Sequence, residues 1–270
     1  MAPGDIELAI EWAAREGWNP GMSDGDCFYH TDPRGFFLGL LDGEPVGCIS
    51  AVAYDGAFGF IGLYIVRPEY RGQGFGIRLW NVALEYLGDR NVGLDGVIAQ
   101  QDNYKRSGFR LAYRNIRYEG VGHSSGAEGL VDLEDVPLAG LVAYDAGIFP
   151  SPRPEFLRRW VCQPDGVAIG CQTNGRLSGY GVIRACRNGF KIGPLFADDR
   201  EIARRIMDAL SGHAAGKPVF LDVPEVNPAA VDLAESHGMH PVFETARMYT
   251  KEPYMSQLHR VFGVTSFELG

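Results

Sequence analysis

Histidine is scarce: six in 270 residues, with no HxxxH pair and no Cys/His cluster. Protein-held transition metals draw on imidazole and thiolate at close spacing, so no dedicated metal site is expected. The five cysteines, an odd number without a CxxC pair, do not make a disulfide framework. A reduced, cytoplasmic setting is expected. No apolar run reaches the roughly 18 residues that a membrane helix needs. The opening residues, MAPGDIELAIEW, carry neither a basic leader nor an apolar stretch, and no secretory signal is expected. Basic residues are outnumbered, 25 Lys and Arg against 34 Asp and Glu, for a formal charge of −9. Phosphate backbones are bound by clustered Lys and Arg, which argues against nucleic acid as a partner. What is present, 46% hydrophobic and 22% charged residues, is the composition of a globular protein, and the length suffices for two ordinary domains.

The chain repeats itself. Two β-type runs flank Asp42-Gly43-Glu44 and two more flank Asn174-Gly175-Arg176. Both are hairpin signals, because these turns need positive φ. After each hairpin comes a strand beginning with Phe (FGFIGLYIV at Phe58, FKIGPLF at Phe190), then a helical segment. In the first, Ile77, Trp80, Ala83, Leu84 and Leu87 fall on one face; in the second, Ile202, Ile206, Ala209 and Leu210 do. Each half then has a buried-looking strand containing Leu-Asp (Leu94-Asp95, Leu221-Asp222) and ends on a further strand, SGFRLAYRNIRY or HGMHPVFETARMY. Corresponding points lie about 130 residues apart, which argues for two copies of one α/β unit. The Gly/Ser-rich segment 121–129 reads as a linker. The expected division is 1–120, 121–129 and 130–270.

The copies differ at one place. The first has RPEYRGQGFGI where the second has GPLFADDREIA. Alternating glycines leading into a helix free several backbone N–H groups to converge on one point, and the helix N-terminus adds partial positive charge. This is how a main chain holds phosphate or pyrophosphate. A P-loop needs GxxxxGK[ST] and a dinucleotide fingerprint needs GxGxxG; neither fits. The pattern [Arg/Gln]-x-x-Gly-x-[Gly/Ala], after a strand ending in Val-x-Pro, fits every position of Arg71-Gly72-Gln73-Gly74-Phe75-Gly76.

On that string the chain resembles the GCN5-related N-acetyltransferases. The resemblance implies acetyl-CoA as the donor. Its pyrophosphate would lie on Gly72, Gln73, Gly74, Phe75, Gly76 and Ile77 beside Arg71, and its pantetheine arm would pair with Tyr64, Ile65 and Val66. The string YKRSGF looks like the family's Tyr-x-x-x-Gly-Phe stretch and implies Tyr104 as general acid for the leaving thiolate, a phenol being protonated at neutral pH. The Asn that many members carry two turns earlier is replaced by Val97, leaving Gln100, Gln101 and Asn103 as substitutes. A narrower resemblance, carried by WAAREGWNPG, LDVPEVNPAA, PVFETARMYT and VFGVTSFELG, is to a tandem subgroup similar to YitH-type bacterial acetyltransferases. The fold so implied is α/β, with two mixed, mostly antiparallel sheets flanked by helices, the first half catalytic.

The acceptor would be a primary amine of a small molecule, and its attack needs a base. The strand AFGFIGLYIV has no carboxylate, and its side-chain polar group is the Tyr64 hydroxyl. The segment GWNPGMSDGD offers Trp18 as a pocket wall and Asp24 as base or amine anchor, although ordinary turn chemistry explains Asp24 equally well. Tyr64, Gln100 and Asp222 complete the expected acceptor site, with Glu225 beside them. Asn227 is expected to cap the helix that follows it. A non-catalytic acyl-CoA sensor and a protein or peptide N-acetyltransferase are the alternatives. The apolar terminal run RVFGVTSFELG is expected to pack as a strand, within the chain or across a dimer.

Overall fold

The computed structural model describes residues 1–123, 126 and 128–270. The expected linker contains Ser124, Ser125 and Ala127, which lie outside the described residues. The first half runs α1 (Ile6–Arg15), α2 (Asp24–Thr31), β1 (Phe36–Leu41), β2 (Glu44–Ala53), β3 (Phe58–Val66), α3 (Phe75–Leu87), β4 (Asn91–Val97), α4 (Gln101–Arg106) and β5 (Arg110–Val121). The second runs β6 (Leu130–Asp132), α5 (Leu138–Ala146), α6 (Pro154–Trp160), β7 (Gly166–Thr173), β8 (Arg176–Ala185), β9 (Phe190–Ala197), α7 (Arg200–His213), β10 (Pro218–Pro224), α8 (Pro228–Ser236), β11 (His240–Tyr249) and β12 (Val261–Gly263). Both hairpins turn through paired positive φ, at Asp42-Gly43 and Asn174-Gly175, as their sequences require. On α3 the buried face is Leu79, Trp80, Ala83 and Leu87; Ile77, expected inward, is exposed.

The two expected sheets are joined in one sheet of mixed strands, in the order β1-β2-β3-β4-β11-β5-β10-β9-β8-β7-β6. The join is an exchange. β11, from the second half, pairs with β4 and β5 of the first. β5, from the first, pairs with β10 of the second. A lone copy would leave an open strand edge beside β4 or β10, and each half closes the other's.

The strand exchange is cemented by buried ion pairs. Arg247 on β11 donates to both oxygens of Asp95 on β4, at 2.8 and 2.6 Å. Arg117 on β5 donates to both oxygens of Asp222 on β10, at 2.7 and 2.8 Å. These pairs join equivalent positions of the two copies. Removing one partner would leave a buried charge uncompensated, which is strongly destabilising.

Candidate active site

β3 and β4 run parallel and pair only from Phe58 to Ile61 and from Asn91 to Leu94. Beyond that they splay. The gap becomes a cavity of about 430 Å³, lined on one side by Gly62 to Val66 and on the other by Asp95, Gly96, Val97, Gln100 and Tyr104. At the splay β3 bulges: Cys48 faces Ile65 and Ser50 faces Gly62, so one residue of β2 opposes two of β3, and Leu63 has φ 44. A bulge re-aims backbone polar groups out of the ladder.

The glycine turn sits at the end of β3. Gly72 and Gly74 have φ 74 and 85, and a Cβ on either would meet nothing; they are glycine because of the left-handed backbone. Gly76 differs, since a Cβ there would lie 2.7 Å from the Tyr64 hydroxyl. The N–H groups of Gly72, Gln73 and Gly74 have no backbone acceptor among the described residues. Phe75, Gly76 and Ile77 are the first three residues of α3, whose N–H groups have no partner within the helix. Six consecutive donors with a helix N-terminus behind them suit a pyrophosphate. The Arg71 guanidinium is held elsewhere, by the Val66 carbonyl at 2.8 Å and Glu16 at 2.5 Å.

Tyr104 reaches the cavity from α4. Its ring packs on Gly96, where a Cβ would fall 2.4 Å from it, and beside Trp80 with centroids 5.4 Å apart. Burial pushes the Tyr104 phenol well above its usual pKa, and neighbouring Tyr64 adds to the shift. It therefore stays protonated at neutral pH.

The remaining wall comes from the second half: Phe243 and Thr245 on β11, and Phe267 and Glu268 near the C-terminus. The last ten residues, Val261 to Gly270, are buried throughout. β12 adds to the edge of β9, and the Val264 N–H donates to the Asp222 carbonyl at 2.8 Å. That segment occupies the splay between β9 and β10, which pair only up to Ile192 and Leu221. The second copy's cleft is thus filled by the chain itself, whereas the first holds the cavity. The chain then crosses to β3. A Cβ on Gly62 would lie 2.1 Å from the Glu268 carbonyl oxygen, so glycine is what lets the tail lie against the strand.

Residues 6–109 match the family described as "Acetyltransferase (GNAT) family", and residues 141–263 match "Acetyltransferase (GNAT) domain". The chain belongs to the GNAT acetyltransferases. It is an acyltransferase enzyme with two GNAT units in tandem. Over 98% of its length it is 28% identical to a holothin acyltransferase from Pseudoalteromonas sp., covering 91% of that protein. It is 25% identical to the uncharacterized N-acetyltransferase YitH of Bacillus subtilis, over 88% of this chain and 86% of that one. A crystal structure of a putative acetyltransferase from Pyrococcus horikoshii superposes with a TM-score of 0.85 at 24% identity, covering 100% of this chain and 94% of that one. The tandem, YitH-like resemblance agrees with these findings.

Within this GNAT site the expected residues fall into two groups. Trp18, Tyr64, Ile65, Val66, Arg71, Gly72, Gly76, Gln100 and Tyr104 line the cavity together. Asp24 does not reach it. Its carboxylate is buried against Arg184 at 2.7 Å and accepts from the Gly21 N–H at 2.8 Å. Both oxygens are engaged in the core, and the residue is not part of the cavity lining. Asp222 is likewise consumed by Arg117; burial would raise its pKa, but the guanidinium holds it below the usual carboxylate range. Asn103 is exposed on α4, where it bonds Gln100 and Arg106 rather than the cavity. Glu225 accepts from the Arg114 N–H at 3.0 Å, outside the cavity lining. Asn227 stands at the cap position, but its side chain donates to the carbonyls of Leu258, His259 and Val261 and so anchors the tail. Glu268 is the residue that sequence reading missed. It lies in an otherwise apolar ending, and no local pattern marks it. Among the described residues no His/Cys/Asp/Glu cluster has the makings of a metal site, and no helix is long and apolar enough to cross a membrane.

Proposed function

We propose that the open cleft takes acetyl-CoA as donor and the primary amine of a small molecule as acceptor, and that the N-terminal unit carries the chemistry. The carrying observation is the pairing of six free N–H groups at the α3 N-terminus with the bare, splayed edges of β3 and β4. The residues present fit the donor. Gly72 to Ile77 would hold the pyrophosphate, and the exposed edge at Tyr64 to Val66 would pair with the pantetheine arm. Bound there, acetyl-CoA supplies an acetyl group activated as a thioester. The backbone N–H groups re-aimed by the bulge at Leu63 and Tyr64 are suited to stabilise negative charge on the acyl oxygen. Tyr104 holds a proton for the departing sulfur.

Two features support a small acceptor. Phe243, Phe267 and Glu268 wall the cavity from the second half, which narrows the acceptor side and favours a small molecule over a protein segment. The relative named for holothin covers the whole architecture at 28% identity, and acyl transfer to a named compound fits the same reading. A sensor without turnover is favoured by a cleft lacking carboxylate; Glu268 removes that argument.

The test is release of free thiol from acetyl-CoA against polyamines, amino acids, aminosugars and short peptides, with binding followed by calorimetry. Tyr104→Phe should lower kcat by about 100-fold, the lower end for loss of a general acid, with acetyl-CoA affinity unchanged. Binding without turnover of any amine in the wild type would support the sensor, and absence of binding would refute the assignment of the glycine turn.

A further inference from the structure

Three carboxylates line the cavity, and two are spoken for. Glu16 is paired with Arg71 at 2.5 Å. Asp95 is held by Arg247, and Asn115 donates to it at 2.8 Å. The third, Glu268, is 5% exposed and makes neither hydrogen bond nor ion pair with the described residues. Two of the cations near it are paired elsewhere, Arg117 with Asp222 and Arg184 with Asp24, which leaves Lys191 as the nearby cation without an ion-pair partner within 4 Å among the described residues. Lys191 is held by the carbonyl of Asn19 at 3.0 Å and that of Trp18 at 3.5 Å. A buried carboxylate without a partner is costly, and the usual resolution is a ligand or a proton. The Glu268 carboxyl is pushed above its ordinary pKa by burial, against the pull of Lys191 and Arg117, which moves it toward the range in which a base works at neutral pH.

The cavity that Glu268 lines is also walled by aromatic residues, Trp18, Tyr64, Phe243 and Phe267. An anionic oxygen among aromatic faces is a site for an organic cation. The tail cannot readily swing away. Tyr54 donates to the Leu269 carbonyl at 2.9 Å, Arg153 to the Thr265 hydroxyl at 2.9 Å, and the Phe267 ring lies 4.8 Å from the Arg117 guanidinium.

We propose that Glu268, delivered by the C-terminal segment of the second unit, is the acceptor-binding and proton-accepting residue of the first, and that the acceptor is a primary alkylammonium. This rests on the acetyl-transfer reading above. Glu268 binds the ammonium and takes one proton from it. The freed lone pair forms the C–N bond at the thioester carbonyl as the C–S bond breaks, and the sulfur leaves with that electron pair. Tyr104 donates its proton to the sulfur and recovers one from the nitrogen. Glu268 passes its proton to water, so amide, thiol and one proton are produced.

The experiment compares wild type, Glu268→Gln and Glu268→Asp, each checked by thermal melting. The same amine panel is used, extended with aniline-type amines that are uncharged at pH 7.5. The expected result has four parts. The best wild-type acceptor carries an ammonium at that pH. Glu268→Gln lowers kcat/KM for it by at least 100-fold, Glu268→Asp falls between, and acetyl-CoA affinity changes less than 2-fold in both. The wild-type pH profile also loses its acidic limb in Glu268→Gln, which a merely structural role would not produce. A Glu268→Gln rate within 3-fold of wild type overturns the proposal, as does an uncharged arylamine as the best acceptor or acetyl-CoA binding without turnover of any ammonium. Failure of the wild type to bind acetyl-CoA overturns the acetyl-transfer reading instead.

Discussion

Gly62→Ala is the sharpest probe of how the two units meet. The new Cβ would sit 2.1 Å from the Glu268 carbonyl oxygen and 2.8 Å from its Cα and carbonyl carbon. Carbon and oxygen come no closer than about 3.3 Å even in C–H···O contacts, so something must move by roughly 1 Å. Both sides are backbone, and both are tied: Gly62 pairs with Ser50, and the tail is bonded at Leu269 and Thr265. Overpacking of this kind costs typically 1–3 kcal/mol, and with no flexible side chain to yield we place it near 3 kcal/mol. At roughly 2–4 °C per kcal/mol for a chain of this class, melting should fall by about 6–12 °C. Glu268 is displaced with its backbone, and a 1 Å misplacement can cost about 100-fold in rate. Acetyl-CoA affinity should fall less than the rate does, because the glycine turn lies beyond Val66, while the proposed arm-pairing residues Tyr64 to Val66 begin two positions from Gly62. Gly39→Ala is the control: its Cβ would meet Leu79 at 3.5 Å and the Gly47 carbonyl at 3.6 Å, ordinary contacts. A Gly62→Ala protein that melts within 1 °C of wild type and keeps its rate would refute the close approach of the tail to β3.

Two further predictions concern the buried charges. Asp24→Ala should destabilise by about 3–5 kcal/mol, because it strands the Arg184 guanidinium in the core; a denaturant midpoint measures this, and acetyl-CoA affinity should be unchanged. Glu268→Gln should raise the melting temperature by a few degrees at pH 8 and by little at pH 4. The folded carboxyl titrates above its unfolded value, so the stability it contributes is full below about pH 4.3 and is lost as pH rises through the folded pKa. Glutamine suffers no such loss. The groups facing Glu268, namely Lys191, Asp24, Arg117 and Arg184, remain in both proteins, so a pH-independent difference would refute the assignment of the titration to residue 268.

The repeat, the hairpins and the glycine turn were legible because each is local: Asp42-Gly43 and Asn174-Gly175 specify their turns within two residues, and Gly72 and Gly74 specify theirs. Tyr104 was legible through its spacing to Gly108-Phe109. The acceptor wall was not. Phe243, Phe267 and Glu268 reach the cavity only through the exchange of β11 and the path of the tail, and pairing between strands well over a hundred residues apart leaves no mark in either strand. Asp24 was misplaced for the same reason: its partner Arg184 lies 160 positions away. The joining of the two expected sheets into one was not legible, because periodicity shows that β5 and β11 are strands without showing whose neighbour each is.

The exchange of β5 and β11 also sets the order in which the protein can be built. As the chain emerges from synthesis, the first unit holds β1 to β4 and its glycine turn, but the strand that belongs beside β4 is residues 240–249, well over a hundred positions later. Until then β4 presents a bare edge and β5 has neither of its neighbours. Contacts of such long sequence separation form slowly, and unpaired edges are where nascent chains associate wrongly. The sheet of the first unit is therefore complete only once residues 240–249 of the second have been made.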